Sequence, residues 1–229
     1  MADLSLVIPA YVTNHNVAEW VPKILDGYRA SGSDVELIVV DNGSHFSQDV
    51  LASAGDLNIR VDRNLGYSGG VNTGLVHAKA PVVGVGSIDI LMPDNWGDKF
   101  LEHPGLVCSP LETGKREIRH QPVRGRCWPA MFTFPREAVD TVGLFDTDTF
   151  SAYADRDYGI RLAQAGFGFT RVDVPVEHVA SNHAHRHLHR YQEGYQQRFA
   201  GEIRAMQRVY GTQHWSEWMA RNRPDDWQF

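Results

Sequence analysis

One short apolar stretch, residues 81–89, constrains the fold of this chain more than any other. It reads Pro81-Val82-Val83-Gly84-Val85-Gly86-Ser87-Ile88-Asp89. Such a run is typical of a central strand in a parallel sheet, which is covered on both faces and therefore lacks polar alternation. Ligands of open α/β sheets bind where the carboxyl ends of the strands meet the loops. Asp89 is therefore expected at the edge of the sheet where ligands bind. A carboxylate at such a position can bind a divalent cation or a sugar hydroxyl.

Short apolar strands alternate with helical segments through the first half of the chain. Strands are predicted at 4–9, 35–40, 59–61 and 81–86, and a helix at 16–30. Residues 64–74 are predicted to form a glycine-rich turn that feeds a helix ending near Lys79. This alternation predicts an α/β fold with a doubly wound, mainly parallel central sheet.

The second half continues without a clean boundary, an internal repeat or a low-complexity linker. Strands are predicted at 105–109, 127–134 and 169–174, helices at 136–142 and 155–165, and a loop at 110–126. From Tyr191 to Tyr210 apolar residues recur at helical spacing, which predicts a long amphipathic C-terminal helix. That helix is expected to pack on the core or to form a homodimer surface.

The net charge, the cysteine content and the lengths of the apolar runs limit which classes of protein this chain could belong to. The chain has 229 residues and a net charge of −6, and an acidic balance disfavours a non-specific nucleic-acid coat. Cys108 and Cys127 are too few for a disulfide framework, which favours a reduced, cytoplasmic setting. No apolar run reaches the roughly 20 residues that span a bilayer. We therefore expect a soluble protein without a transmembrane segment, which leaves a membrane-bound acceptor possible.

Three carboxylates fall at predicted sheet or helix edges, namely Asp41, Asp89 and Asp155. Any one of them alone is explained by helix capping or turn formation, for which Asp is a preferred residue. Their coincidence at one sheet edge favours a functional site. The glycine-rich segment matches neither a dinucleotide-binding G-x-G-x-x-G fingerprint nor a P-loop, so both of those classes are disfavoured.

A series of motifs, in order and spacing, resembles family 2 glycosyltransferases, and most closely their rhamnosyltransferase-like branch. The resemblance covers roughly residues 4–180, and it rests on the segments Val7–Tyr11, Val39–Ser44, Asn64–Asn72, Gly143–Asp146, Tyr153–Leu162 and Val174–His178. It implies a GT-A fold in one domain, with a nucleotide-sugar-binding half at 1–109 and an acceptor-side half at 110–229. It also implies inverting transfer of a hexosyl or deoxyhexosyl group from a UDP- or dTDP-sugar to an acceptor hydroxyl.

The resemblance assigns roles to particular residues of this chain. The residues implied to bind the nucleotide sugar are Pro9, Ala10, Tyr11, Asp41, Asn64, Gly69, Gly70, Asn72, Ser87, Ile88 and Asp89. The metal-binding D-x-D position falls on Ser87-Ile88-Asp89, and a late metal-binding histidine falls on His178. Two residues depart from the family pattern, because Ser87 replaces the first acidic residue of the metal motif and Ala154 replaces the Glu before Asp155.

Elementary chemistry agrees with these roles. Magnesium or manganese suits a carboxylate, an imidazole and phosphate oxygens, which makes Asp89 and His178 the candidate metal ligands. An acceptor hydroxyl is a poor nucleophile until a base takes its proton, and Asp155 at a helix start is the candidate base. Asp157 and Trp128 are candidates for acceptor binding, although helix capping and core packing explain them as well.

Several alternatives stay open at this point. A nucleotidyltransferase shares nucleotide binding and a cation, but residues 11–16 lack the glycine-rich basic loop that is usual there. Ser87 and Ala154 also suit a catalytically inactive sugar-nucleotide or glycan binding module. The basic segment 115–126 is either a solvated surface or a lid over the diphosphate, and the His/Arg segment 183–190 is equally ambiguous. The acceptor is a glycan, a lipid-linked sugar, a protein, a small molecule or a modified nucleic-acid base.

Overall fold

The computed structural model describes residues 1–13, 15–113, 131–149 and 154–178, together with 204, 207–208 and 211. The strands are β1 (Leu4–Ala10), β2 (Val35–Asn42), β3 (Leu57–Val61), β4 (Val82–Gly86), β5 (Ile90–Leu91), β6 (Val107–Thr113), β7 (Met131–Pro135) and β8 (Phe169–His178). The helices are α1 (His15–Ala18), α2 (Val21–Arg29), α3 (Gln48–Leu51), α4 (Gly66–Leu75), α5 (Trp96–Leu101), α6 (Glu137–Val142) and α7 (Ala154–Gln164).

These strands form one sheet in the order β3-β2-β1-β4-β7-β6-β8-β5. The first four are parallel neighbours, as the alternation of strands and helices predicts. β7 joins β4 and β6 in antiparallel pairs, β6 and β8 are parallel, and β5 runs antiparallel to β8. The α/β prediction is therefore confirmed, and the pairing of β4 with β7 makes the sheet continuous between the two halves of the chain.

The apolar stretch at 82–86 forms β4, a buried strand between β1 and β7. Its glycines leave room for large neighbours on both sides. A Cβ on Gly84 would lie 2.8 Å from Leu6 Cδ1 and 3.1 Å from Thr133 Cγ2. The absence of that Cβ leaves room for the Leu6 and Thr133 side chains over β4. All five residues of β4 are buried, so the prediction of a buried central strand is confirmed.

The core has two layers because consecutive residues of a strand point to opposite faces of a sheet. On β1, Leu6 and Ile8 face a cluster that contains Tyr28 of α2 and Trp96 of α5. Val7 faces the opposite cluster, which contains residues of α4 and α7. Helices on both faces of the sheet confirm the doubly wound arrangement for the described residues.

Some element boundaries differ from those predicted. The helix predicted at 16–30 is divided into α1 and α2, and Pro22 lies in the first turn of α2, where its missing N–H is tolerated. Residues predicted as a glycine-rich turn are helical from Gly66 onward, and α4 ends at Leu75 rather than near Lys79. A Cβ on Gly74 would collide with Val7, so this glycine lets α4 lie close to the sheet.

Other predicted features fall elsewhere. β5 and α5, with its buried Trp96 and Phe100, were not predicted from the sequence. The segments 115–126 and 183–190, and all but isolated residues of the predicted C-terminal helix, lie outside the described residues. In the part of the chain that the structure describes, no helix has the length and apolar character needed to cross a membrane.

Candidate functional site

The carboxyl ends of β1, β2 and β4 lie side by side at one edge of the sheet. Ala10 is opposite Asp41 in the β1–β2 register. On the other side of β1, Val7 is opposite Val85 of β4. The edge therefore brings Pro9, Ala10 and Asp41 to the side of the sheet where the turn after β4 carries Asp89.

Asp41 is buried, and both of its carboxylate oxygens have partners within the chain. Oδ1 accepts a hydrogen bond from the Ser44 backbone N–H at 2.8 Å. Oδ2 pairs with Nη1 of Arg60, whose side chain is 46% exposed against 6% for Asp41. Asp41 thus fixes the turn after β2 and holds a cationic side chain at the rim. Sequence reasoning missed Arg60, although it lies directly opposite Asp41 on the neighbouring strand β3.

The loop after β1 is fastened to the turn after β2. The Ser44 hydroxyl accepts a hydrogen bond from the Val12 backbone N–H at 3.0 Å. The Val12 carbonyl in turn accepts the N–H groups of His45 and Phe46, at 2.9 and 3.1 Å. Tyr11 lies edge-on to His45, with ring centroids 6.2 Å apart. These contacts hold Tyr11 against the turn that follows Asp41. Contact of Tyr11 with a nucleotide stays a prediction.

Asn42 organises the start of α4 at the same edge. Its amide donates to the carbonyl of Gly66 at 2.9 Å and its Oδ1 accepts the N–H of Leu65 at 3.0 Å. Asn64 Oδ1 accepts the N–H of Gly66 at 2.8 Å. A Cβ on Gly70 would lie 2.9 Å from the Asn42 amide nitrogen, so a glycine is needed for the helix to approach β2.

Close packing thus explains why several positions of the glycine-rich segment are occupied by glycine. A glycine is also needed at position 69, since a Cβ there would lie 2.6 Å from Leu65 Cβ. Contact of Asn64, Gly69 and Gly70 with a nucleotide stays a prediction.

Asn72 and Ser68 join α4 to the segment that leads into α7. The Asn72 amide donates to the Phe145 carbonyl at 2.8 Å, and its Oδ1 accepts the Phe145 N–H at 2.9 Å. The Ser68 hydroxyl donates to the Thr149 carbonyl at 2.6 Å. Sequence reasoning placed Asn72 in the nucleotide pocket, whereas its side-chain amide is engaged by the backbone of Phe145. Binding of Asn72 to a nucleotide stays a prediction.

The bond pair between Asn72 and Phe145 gives a testable prediction. Asn72→Leu is expected to lower the free energy of unfolding by about 1–3 kcal/mol, because a backbone N–H and a carbonyl lose their partners. Thr73→Ala is the matched control, since it removes only a hydrogen bond within α4, to the Gly69 carbonyl at 2.9 Å. Denaturant titration compares the two. Equal losses in the free energy of unfolding would show that the contact between Asn72 and Phe145 stabilises the fold no more than a hydrogen bond within α4 does.

The turn after β4 carries Ser87, Ile88 and Asp89. The Ser87 hydroxyl donates a hydrogen bond to Asp89 Oδ1, and Ile88 is buried beneath the turn. Burial and, secondarily, the Asp89 carboxylate raise the pKa of Tyr28 well above its usual value. The Tyr28 hydroxyl beside this turn is therefore protonated at neutral pH.

His178 ends β8, which pairs with β5 immediately after that turn. Ile90 lies opposite His178 in the antiparallel register. The backbone of the predicted histidine ligand is thus adjacent to the residue that follows Asp89. Within the described part of the chain, no group of three or more His, Cys, Asp or Glu side chains is arranged to hold a metal ion.

Asp155 and Asp157 lie in the first turn of α7, where Asp155 is 7% exposed and Asp157 is 6% exposed. Asp157 Oδ2 accepts a hydrogen bond from Arg161 Nε at 2.9 Å, and Arg161 Nη2 lies 2.8 Å from the same oxygen in an ion pair. Nη1 of the same arginine donates to the Val142 carbonyl at 2.7 Å. Asp157 thereby orients the arginine that joins α7 to the end of α6, and acceptor binding by Asp157 stays a prediction.

Aromatic stacking connects α7 to α4 and hence to the sheet edge. Tyr158 stacks on Phe145 with ring centroids 4.1 Å apart and planes 4° from parallel. Because Asn72 holds the backbone of Phe145, contacts run from α4 to the helix turn that bears Asp155. Ala154, in place of the family's usual Glu, is buried in the core cluster on that face. Trp128 and the side chain of His178 lie outside what the structure describes.

Comparison with known proteins identifies the family. Residues 5–153 match the family described as Glycosyl transferase family 2. Among curated proteins, none matches this chain.

Solved structures show the same fold at low sequence identity. The mannosyltransferase PcManGT from Pyrobaculum calidifontis, in complex with GDP-Man and Mn²⁺, is 17% identical with a TM-score of 0.67, and the match covers 89% of this chain and 64% of that one. TarS 1–349 of S. aureus is 12% identical with a TM-score of 0.61, over 90% of this chain and 72% of that one. TarS 1–349 in complex with UDP-GlcNAc is 12% identical with a TM-score of 0.56, over 77% and 56% of the two chains.

The chain therefore spans less than two thirds of the mannosyltransferase that it matches. These structures confirm the predicted GT-A fold. The family match covers more than half of the sequence. The chain belongs to glycosyl transferase family 2.

Proposed function

We propose that this chain is an inverting glycosyltransferase of the rhamnosyltransferase-like branch. It transfers a hexosyl or deoxyhexosyl group from a nucleotide-diphosphate sugar to an acceptor hydroxyl. The observation that carries the proposal is the shared edge at which β1, β2 and β4 end, with Asp41 and Asp89 in adjoining turns of a family 2 domain.

The donor half, 1–109, is proposed to bind the nucleotide in the angle between the β1 loop and the β2 turn. Tyr11 and Asp41 supply an aromatic face and a carboxylate there, and Arg60 adds a cation at the rim. Three of the solved structures are named as complexes, PcManGT with GDP-Man and TarS 1–349 with UDP and with UDP-GlcNAc. These names support a sugar nucleotide as ligand class, and we propose a UDP- or dTDP-sugar as the donor.

The residues at the turn after β4 suit a divalent cation that also binds the donor. Magnesium sites commonly use one or two carboxylates and complete their shell with substrate phosphates and water. Asp89, oriented by the Ser87 hydroxyl, supplies one such carboxylate, and His178 follows in the neighbouring strand. A bound Mg²⁺ or Mn²⁺ would neutralise negative charge that develops on the leaving diphosphate. The complex of PcManGT with GDP-Man and Mn²⁺ supports this assignment.

The acceptor half, 110–229, is proposed to supply the general base. The acceptor oxygen attacks the anomeric carbon on the face opposite the diphosphate, and Asp155 takes the hydroxyl proton. The bond from the anomeric carbon to the phosphate oxygen breaks, and its electron pair leaves with the nucleoside diphosphate. A single displacement of this kind inverts the configuration at the anomeric carbon. We also propose a reducing, cytoplasmic setting, which the buried free thiol of Cys108 supports.

Incubation with UDP-, dTDP- and GDP-sugars, with and without Mn²⁺, tests the function. Release of free nucleoside diphosphate that requires an acceptor and increases with Mn²⁺ is the expected result. Consumption of added pyrophosphate, with formation of a nucleoside triphosphate and a sugar 1-phosphate, would instead indicate a nucleotidyltransferase. Binding of a sugar nucleotide with no turnover across a panel of glycan, lipid-linked and small-molecule acceptors would indicate a binding module.

A further inference from the structure

A fully buried tyrosine lies beneath the turn that carries Asp89. Tyr28, on α2, accepts a hydrogen bond from the Ser87 backbone N–H at 3.0 Å through its hydroxyl oxygen. The same hydroxyl donates to the Ser87 backbone carbonyl at 2.9 Å. One side-chain group therefore satisfies both backbone polar groups of one residue.

The surroundings of Tyr28 hold its hydroxyl in this position. The Trp96 indole N–H donates to the Tyr28 carbonyl at 3.1 Å, and the two rings meet edge to face with centroids 6.1 Å apart. On the sheet side, a Cβ on Gly86 would lie 2.6 Å from the Tyr28 hydroxyl oxygen. A glycine at this position of β4 is what allows the hydroxyl to reach Ser87. Because Tyr28 is fully buried among these groups, its ring has little freedom to move.

Ser87 passes this restraint on to the carboxylate. Its hydroxyl donates to Asp89 Oδ1, so the same residue that Tyr28 holds by the backbone contacts Asp89 by its side chain. A second carboxylate at position 87 would repel Asp89, whereas a hydroxyl orients it without adding charge. The hydrogen bond of a ligating carboxylate to a neighbouring group commonly fixes the geometry of a metal site.

We propose that Tyr28 is a positioning residue that holds Asp89, through Ser87, in place for a divalent cation bound together with a nucleoside diphosphate. This inference rests on the proposed function and extends it to a residue outside the ligand pocket. It also accounts for a metal motif with a single acidic residue. In a motif with two carboxylates, the bound metal would hold both of them in place. Here the hydrogen bonds from Tyr28 to Ser87 restrain Asp89 instead.

Calorimetric titration of the full chain with UDP, dTDP and GDP, each with saturating Mn²⁺ and each with EDTA, tests the proposal. For Tyr28→Phe, the dissociation constant in Mn²⁺ is expected to rise about 10- to 100-fold, as for other changes to groups that orient metal ligands, and to stay within about twofold in EDTA. Gly86→Ala is expected to have the same selective effect, because the added Cβ displaces the hydroxyl from the opposite side.

Ser31→Ala is the matched control, since it removes a buried hydroxyl just after the same helix, which donates to the Ser33 carbonyl at 2.8 Å, without touching Tyr28 or Ser87. A thermal unfolding curve for each variant identifies any that fail to fold. If Tyr28→Phe weakens binding equally in Mn²⁺ and in EDTA, or if Ser31→Ala weakens it as selectively in Mn²⁺ as Tyr28→Phe does, Tyr28 has only a structural role and the proposal is overturned. If the unmodified protein binds none of these nucleotides, the proposed function fails and this inference fails with it. Normal binding by the unmodified protein with unchanged Mn²⁺ dependence in Tyr28→Phe and Gly86→Ala overturns this inference alone.

Discussion

Asp155→Asn is expected to lower kcat about 100- to 10,000-fold, which is the range that general-base catalysis contributes. Asn keeps the size and hydrogen-bonding shape of the side chain, but it does not accept a proton from the acceptor hydroxyl. Donor affinity is expected to stay within about twofold, since the proposed donor contacts lie on β1, β2, α4 and the turn after β4. The measurement is steady-state kinetics with the donor identified by the sugar-nucleotide panel, together with calorimetry of donor binding.

Asp157→Asn provides a matched control two residues along the same helix turn. This change breaks an ion pair with Arg161, and a buried pair that loses one charged partner destabilises the fold. We expect a lower melting temperature and a higher KM for the acceptor, with a smaller loss of kcat than for Asp155→Asn. Turnover by Asp155→Asn close to that of the unmodified protein would remove Asp155 as the base. A pH profile then shows whether another group with a similar ionisation replaces it.

The sequence predicted the strands around the site more accurately than the contacts between them. Residues 81–86 read as a buried strand because β-branched residues and glycines leave no polar face, and β4 has this character. The register between β2 and β3 could not be predicted from the sequence, since it depends on how the connection of about 14 residues between these strands packs. Arg60 was consequently missed as the partner of Asp41. Tyr28 lies within the helix predicted at 16–30, but a helical pattern does not show where its hydroxyl points.

The glycine-rich segment shows a different limit of sequence reading. Glycine lowers helix propensity, and the sequence predicts a glycine-rich turn at 64–74 that feeds a helix ending near Lys79. In the structure, Gly70 and Gly74 are helical residues whose missing Cβ atoms let α4 pack against Asn42 and Val7. Tertiary packing therefore overrides local propensity here. The proposed role in nucleotide binding now depends on where α4 begins rather than on a flexible turn.

Asp89→Asn is expected to lower kcat/KM about 100- to 1,000-fold, equivalent to losing roughly 2.7–4 kcal/mol of transition-state stabilisation. The loss arises because the amide is a far weaker ligand for Mg²⁺ or Mn²⁺ than the carboxylate, so the charge on the leaving diphosphate is less well neutralised. Ser87 stays in place in this variant, held by Tyr28 through its backbone. The fold around the turn is therefore expected to be preserved, with little change in the melting temperature.

Asp94→Asn is the matched control, because it makes the same change of charge at an exposed carboxylate five residues further along the chain. It is expected to leave kcat/KM and the Mn²⁺ dependence within about twofold, since a lone surface charge in water contributes little. Titrating Mn²⁺ against nucleotide binding separates the two variants. Only Asp89→Asn should lose the difference between binding in Mn²⁺ and binding in EDTA. An unchanged Mn²⁺ dependence in Asp89→Asn would show that the cation binds elsewhere. If EDTA does not lower the rate of the unmodified protein, catalysis proceeds without the cation.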